Sequence, residues 1–77
     1  MTARYRRRMG ETTVTVVGTE LEAAMVCGLL GTEGIAAYSR ALGLLVPSLY
    51  GATAGGIEII VKSEDAQRAK ELIDAGR

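Results

Sequence analysis

The sequence contains no histidine, no tryptophan, no phenylalanine and only one cysteine among its 77 residues. Without histidine, and with a single thiol at Cys27, the chain lacks the residues of most zinc sites and of most nucleophile–base pairs. A lone cysteine cannot form an internal disulfide, which favours a cytoplasmic setting. We therefore expect no enzyme, no metal site and no cofactor, and we interpret Cys27 as a small packing residue.

Long apolar runs are also absent, and no stretch approaches the ~18 residues that a membrane-spanning helix requires. The arginines at positions 4, 6, 7 and 8 are not followed by the apolar run of a signal peptide. We interpret residues 1–10 as a basic, mobile tail, with a phosphate- or lipid-binding arm as the alternative. Nine basic and nine acidic residues balance over the whole chain, which argues against a nucleic-acid binder. We expect no membrane partner.

The apolar residues that are present begin with a strand pattern. Residues 12–17 read TTVTVV, and a run so rich in β-branched residues predicts a strand. Simple alternation places Val14 and Val16 on one face and Val17 on the opposite face. Gly18 ends this strand.

A helix follows, and its start is the clearest local signal in the chain. Thr19 and Glu22 have the spacing of a capping box, in which each side chain satisfies a backbone N–H of the first turn. Gly34 is the expected left-handed terminator, with Ile35 as its apolar contact. The three- and four-residue spacing of apolar and small side chains predicts one buried face, made of Leu21, Ala24, Met25, Gly28 and Leu29.

Two further strands and a second helix complete the pattern. Residues 35–39 predict the second strand, and residues 56–62 the third, with the isoleucines of positions 57 and 59 facing inward. Ser63 is the expected N-cap of the second helix, whose buried stripe is Ala66, Ala69, Leu72 and Ile73. The order predicts an α+β, ferredoxin-like βαββα sandwich in a single domain over residues 11–77. Its three-stranded sheet would carry both helices on one face and lack the usual last strand.

Residues 40–56 stand apart, because no charge occurs between Arg40 and Glu58. A loop of this length in a small domain is usually functional, and this one is too apolar to suggest disorder. Pro47 excludes a regular helix or strand interior within it. The candidate ligand- or partner-binding residues are therefore Arg40, Leu44, Leu45, Leu49, Tyr50, Gly55 and Gly56. Alternatively, the leucines form a short helical turn packed over the sheet, and the two glycines only lead flexibly into the third strand.

The face of the sheet opposite the helices is expected to mix polar and apolar side chains. Tyr38, Ile60 and Val17 would lie there and need cover from the loop or from a second subunit. An open sheet edge also invites pairing. We therefore expect a homo-oligomer with these three residues at its interface.

Several short motifs together resemble a family of small bacterial domains of unknown function described as prokaryotic signal-transducing proteins. The resemblance covers about residues 13–73 and is carried by the segments 19–23, 29–30, 33–35, 37–38, 57–61 and 64–66 and by Ala69. The family is considered similar in fold to the PII nitrogen-regulatory proteins, whose long loop contacts targets and small effectors. This sequence lacks the second, glycine- and lysine-rich phosphate loop of PII proteins.

The resemblance implies a PII-like, non-enzymatic regulatory or signal-transducing module that uses residues 40–56 to contact a small effector or a protein partner. Two alternatives remain open at this stage. One is a structural or oligomerisation domain with the loop as its interface. The other is a nucleic-acid accessory protein that acts through the N-terminal arginines.

Overall fold

The computed structural model describes residues 10–42 and 52–76, with the backbone alone for residues 52–55. It is an α+β domain whose elements follow the predicted order. The strands are β1 (Glu11–Thr19), β2 (Ala37–Ala41) and β3 (Ala52–Lys62), and the helices are α1 (Glu20–Thr32) and α2 (Ala66–Ala75). A single 3₁₀ turn, Ser63–Asp65, joins β3 to α2.

The strands form one antiparallel sheet in the order β1-β3-β2. Strand β3 lies in the centre and pairs antiparallel with both neighbours, so β1 and β2 run parallel to each other. Both helices pack on one face of this sheet, which we call the inner face, and the opposite face is the outer face. The arrangement is compatible with a small ferredoxin-like fold, as the sequence predicted.

The two ends of α1 have the predicted chemistry. Thr19 Oγ1 accepts a hydrogen bond from the Glu22 N–H at 3.1 Å, and Glu22 Oε1 accepts one from the Gly18 N–H at 3.2 Å. At the other end, the Ile35 and Gly34 amides donate to the carbonyls of Leu30 and Gly31, and Gly34 has a φ of +80°. This is a Schellman motif, which only glycine or asparagine completes readily.

The buried face of α1 differs from the predicted one. The buried residues are Ala23 and Leu30, with Val26 and Cys27 packed partly against the same core. The predicted stripe lies on the solvent side instead, and Leu21 and Met25 are among its exposed members. The helix is apolar around most of its circumference, so spacing alone could not identify the side that faces the sheet.

The core lies between the inner face and the helices. Strand β3 contributes Ile57, Ile59 and Val61, as predicted, and α2 contributes Ala69 and Ile73. The prediction of Ser63 as the N-cap of α2 is wrong, because Ser63 begins the 3₁₀ turn and Asp65 occupies the cap position. The Ser63 hydroxyl instead lies 2.6 Å from Thr12 Oγ1, which ties the start of β1 to the end of β3.

A bulge in β1 overturns the predicted position of Val17. Thr13 pairs with Ile60, whereas Thr15 pairs with Ile59, so Val14 is an extra residue in the ladder. Because one inserted residue reverses the alternation, Val17 turns to the inner face and packs on the core. Val16 takes the outer position and is 50% exposed.

Both boundaries of the predicted 40–56 loop also move. Arg40 and Ala41 belong to β2, whereas Gly55 and Gly56 belong to β3, which begins at Ala52. The second strand starts two residues later than predicted, because the Schellman motif holds Ile35 against the helix. Residues 43–51 lie outside the described part of the chain, and with them the candidate residues Leu44, Leu45, Leu49 and Tyr50.

Candidate functional site

The outer face of the sheet carries a network centred on Glu58. The Glu58 side chain is only 6% exposed, although it points away from the helices. Arg40 of the neighbouring strand donates to Glu58 Oε2 from Nη2 at 2.9 Å and from Nε at 3.2 Å. Thr13 Oγ1 of the other neighbouring strand donates to Glu58 Oε1. One carboxylate therefore binds all three strands together.

A second outer-face contact crosses the central strand. The Tyr38 hydroxyl donates to Glu11 Oε1 at 2.7 Å, although Tyr38 lies in β2 and Glu11 in β1. Since β3 separates these strands, the tyrosine side chain must reach over it. Ile60 of β3 pairs with Tyr38 and has no exposed surface. The prediction of Ile60 as an open interface residue is therefore wrong, because it is already covered.

Strand β2 is held to β3 up to the point where residues 43–51 begin. Ala41 pairs with Ile57 in the ladder, and the Leu42 N–H donates to the Gly56 carbonyl at 2.9 Å. Gly56 has a φ of +87°, and a Cβ at this position would lie 2.8 Å from Val16 Cγ1. Glycine is required here by backbone conformation and by close packing, so Gly56 is a fixed position and not a flexible hinge.

A groove lies between α1 and β2, beside the Ala41–Ile57 pair. It has a volume of about 680 Å³ and is open to solvent. Small side chains form most of its wall, and Glu20 is the single charged lining residue among those described. The residues that line it are Glu20, Ala23, Ala24, Cys27, Ala37, Tyr38, Ser39, Ala41 and Ile57. Its size falls in the range of small-ligand sites, ~300–1,000 Å³.

Cys27 is in the wall of this groove, but its environment does not activate the thiol. Burial raises its pKa above the ordinary value, which keeps the sulfur protonated at neutral pH and lowers its reactivity. Within residues 10–42 and 52–76, no cluster of histidine, cysteine, aspartate or glutamate could hold a metal ion.

A second surface lies on the solvent side of α1. Leu21, Met25 and Leu29 are 69%, 64% and 36% exposed, and we call this row the α1 ridge. Beside it runs a shallow row of small side chains that includes Gly28, over which nothing lies within 4 Å. Glycine in a helix interior lowers stability by about 1 kcal/mol relative to alanine. No contact within the described domain explains why glycine occupies position 28.

The structure brings some of the sequence-predicted residues together and separates others. Tyr38, Arg40 and Ile60 share the outer face, whereas Val17 lies on the inner face. Two features were not predicted from the sequence, namely the pairing of Glu58 with Arg40 and the exposure of Met25. Opposite charges at adjacent strand positions on the same face were the available signal for the ion pair.

Comparisons with known proteins do not assign the chain to a family. No family model matches the sequence, and neither a curated protein nor a solved structure is significantly similar to it. In the parts of the chain that the structure describes, no helix is long and apolar enough to cross a membrane.

Proposed function

We propose that this chain is a non-enzymatic, cytoplasmic regulatory binding module. The segment 43–51 and the groove beside its base would contact a small effector or a partner protein. The observation that carries the proposal is the position of the groove. Ala41 and Ile57 line it, and this strand pair lies at the end of β2, where Ala41 is two residues before the segment. A ligand in the groove would therefore lie within reach of the segment.

The firm pairing of β2 with β3 supports a binding role for residues 43–51. Binding segments are usually presented by a firm scaffold, because the scaffold fixes where the segment begins and ends. Here Arg40 and Glu58 join β2 to β3, and Leu42 bonds Gly56 across the same two strands. The segment itself contains three leucines, a valine and a tyrosine and no charge. Such a composition favours contact with an apolar surface.

The charges near the groove narrow the class of ligand. Arg40 is a candidate binding residue that could contact an anion, but its guanidinium is engaged by Glu58 and would have to leave a buried carboxylate. Glu20 contributes negative charge to the groove wall. An apolar ligand that is neutral or cationic therefore fits this site better than a phosphate or a nucleotide.

The proposal is tested by two-dimensional amide NMR with a panel of small metabolites and apolar peptides, with Ser39→Trp as the disabling variant. Ser39 is exposed and lines the groove, so the indole should fill it without disturbing the core. We expect at least one panel member to shift amides of residues 43–51 and of the groove wall, and Ser39→Trp to abolish those shifts.

Ala36→Trp is the matched control, because Ala36 is also exposed but does not line this groove. It should bind as the unmodified chain does. If no panel member shifts these amides, or if Ser39→Trp binds as well as the control does, the groove is not the site.

A further inference from the structure

The α1 ridge is a large apolar surface that the described domain leaves to solvent. Leu21, Met25 and Leu29 recur every four residues, so they form one continuous row along the helix. The neighbouring row, Ala24, Gly28 and Thr32, is exposed and made of small side chains. A raised row therefore lies directly beside a shallow one on the same helix.

We propose that two copies of this chain associate through α1, in a symmetric dimer. When four-residue ridges of two helices interdigitate, the helices cross at about −50°. The ridge of each copy would then fill the shallow row of the other. A two-fold axis requires one surface patch to complement itself. The α1 ridge beside the shallow row is such a patch. Gly28 would permit the close approach of the two backbones.

The charges around α1 favour a second copy in the antiparallel orientation. No charged residue occurs from Ala23 to Thr32, so the centre of the contact buries none. Glu20 and Glu22 lie at the start of the helix. At its end, Arg68 is 56% exposed beside Glu33.

An antiparallel crossing brings the acidic start of each helix towards Arg68 of the other copy, whereas a parallel one places four acids side by side. The formal net charge of zero also removes long-range repulsion between copies. The helix has 13 residues, hence a length of about 20 Å. A contact of this length falls below the ~800 Å² per partner of a standard interface. We therefore expect a dissociation constant in the micromolar range.

Sedimentation velocity of the full chain across a wide concentration range tests the dimer. The unmodified chain should change from monomer to dimer as concentration rises. Met25→Glu should weaken association at least ~10-fold, because it places a charge at the centre of the contact. Ala36→Glu adds the same charge at an exposed position away from α1 and should leave association unchanged. A chain that stays monomeric up to millimolar concentration overturns the proposal and leaves the ridge to another partner.

A second pair of variants separates association from folding. Gly28→Leu and Gly31→Leu both replace exposed helical glycines with nothing within 4 Å, so each should raise the unfolding midpoint of the dilute monomer. Gly28→Leu should also weaken the dimer, because its side chain fills the shallow row. Position 31 is about 60° away from position 28 around the helix axis, so Gly31→Leu should leave the dimer unchanged. Equal association of the two variants would contradict the proposed crossing.

Discussion

Glu58 shows how a single side chain can determine the character of a sheet face. It lies on the face that the sequence predicted to mix polar and apolar side chains, yet the structure buries it against Arg40 and Thr13. Removing one member of a buried pair leaves the other without compensation, which costs more than the pair itself contributes. The loss of stability on removing one partner of Glu58 should therefore be larger than for an exposed ion pair.

We expect Arg40→Ala to lower the free energy of unfolding by about 1–3 kcal/mol, because the buried Glu58 carboxylate loses two hydrogen-bond donors. The loss is not larger because the Arg40 side chain is 33% exposed, so water can partly replace it. Urea denaturation measures the effect. Arg68→Ala is the matched control, since its pair with Glu33 is exposed on both sides, and it should change stability by less than ~0.5 kcal/mol. Equal effects in the two variants would show that Glu58 does not depend on Arg40.

Gly56 is the residue at which a single methyl group should be most damaging. A Cβ would meet Val16 Cγ1 at 2.8 Å and the Val17 carbonyl oxygen at 3.2 Å, on a backbone with a φ of +87°. We expect Gly56→Ala to destabilise the domain by about 1–3 kcal/mol, measured by thermal unfolding. Val16→Ala in the same background removes the nearer clash and should restore part of the loss. A Gly56→Ala chain as stable as the original would show that the strand can shift at no cost.

At the scale of the element, α1 separates what sequence can predict from what it cannot. Its start and end were predictable, because the Thr19 cap and the Gly34 terminator depend only on neighbouring residues. Its buried face was not, because Leu21 and Leu30 are equally apolar and only the sheet determines which of them is covered. Tertiary packing therefore selected between two acceptable faces.

The Schellman motif at the end of α1 provides a test at this scale. Gly34→Ala meets nothing within 4 Å, so its cost comes from the φ of +80° alone. We expect a loss of about 1 kcal/mol in the free energy of unfolding, measured by urea titration. Gly34→Asn should recover part of it, because asparagine tolerates the left-handed region better. If alanine and asparagine cost the same, backbone conformation is not the cause.

Strand β1 illustrates a different limit of prediction. Its β-branched composition identified the strand, but the bulge at Val14 exchanged the faces of Val16 and Val17. A bulge is decided by the register with the partner strand, and that partner is β3, far along the chain. No local pattern in residues 12–17 could have revealed it.

At the scale of the whole molecule, the order of elements and the ferredoxin-like arrangement were predictable from alternating strand and helix patterns. The extent of the loop was not. Ala52 to Gly56 contain two alanines and two glycines, which are poor strand formers. They are strand nonetheless, because pairing with β1 and β2 outweighs local preference. The candidate site thus lies on a longer sheet than the sequence suggested.

The central position of β3 has a consequence for the order in which the domain folds. The pair Ala41–Ile57 closes a short stretch of chain, whereas Glu11 pairs with Lys62 at the far end of the domain. Closing a long loop costs more entropy than closing a short one, and distant contacts slow folding. The hairpin of β2 and β3 should therefore form first, and β1 should dock last. Until it docks, an uncharged run of threonines and valines stays available to neighbouring chains, so the slow step of folding is also the step most open to aggregation.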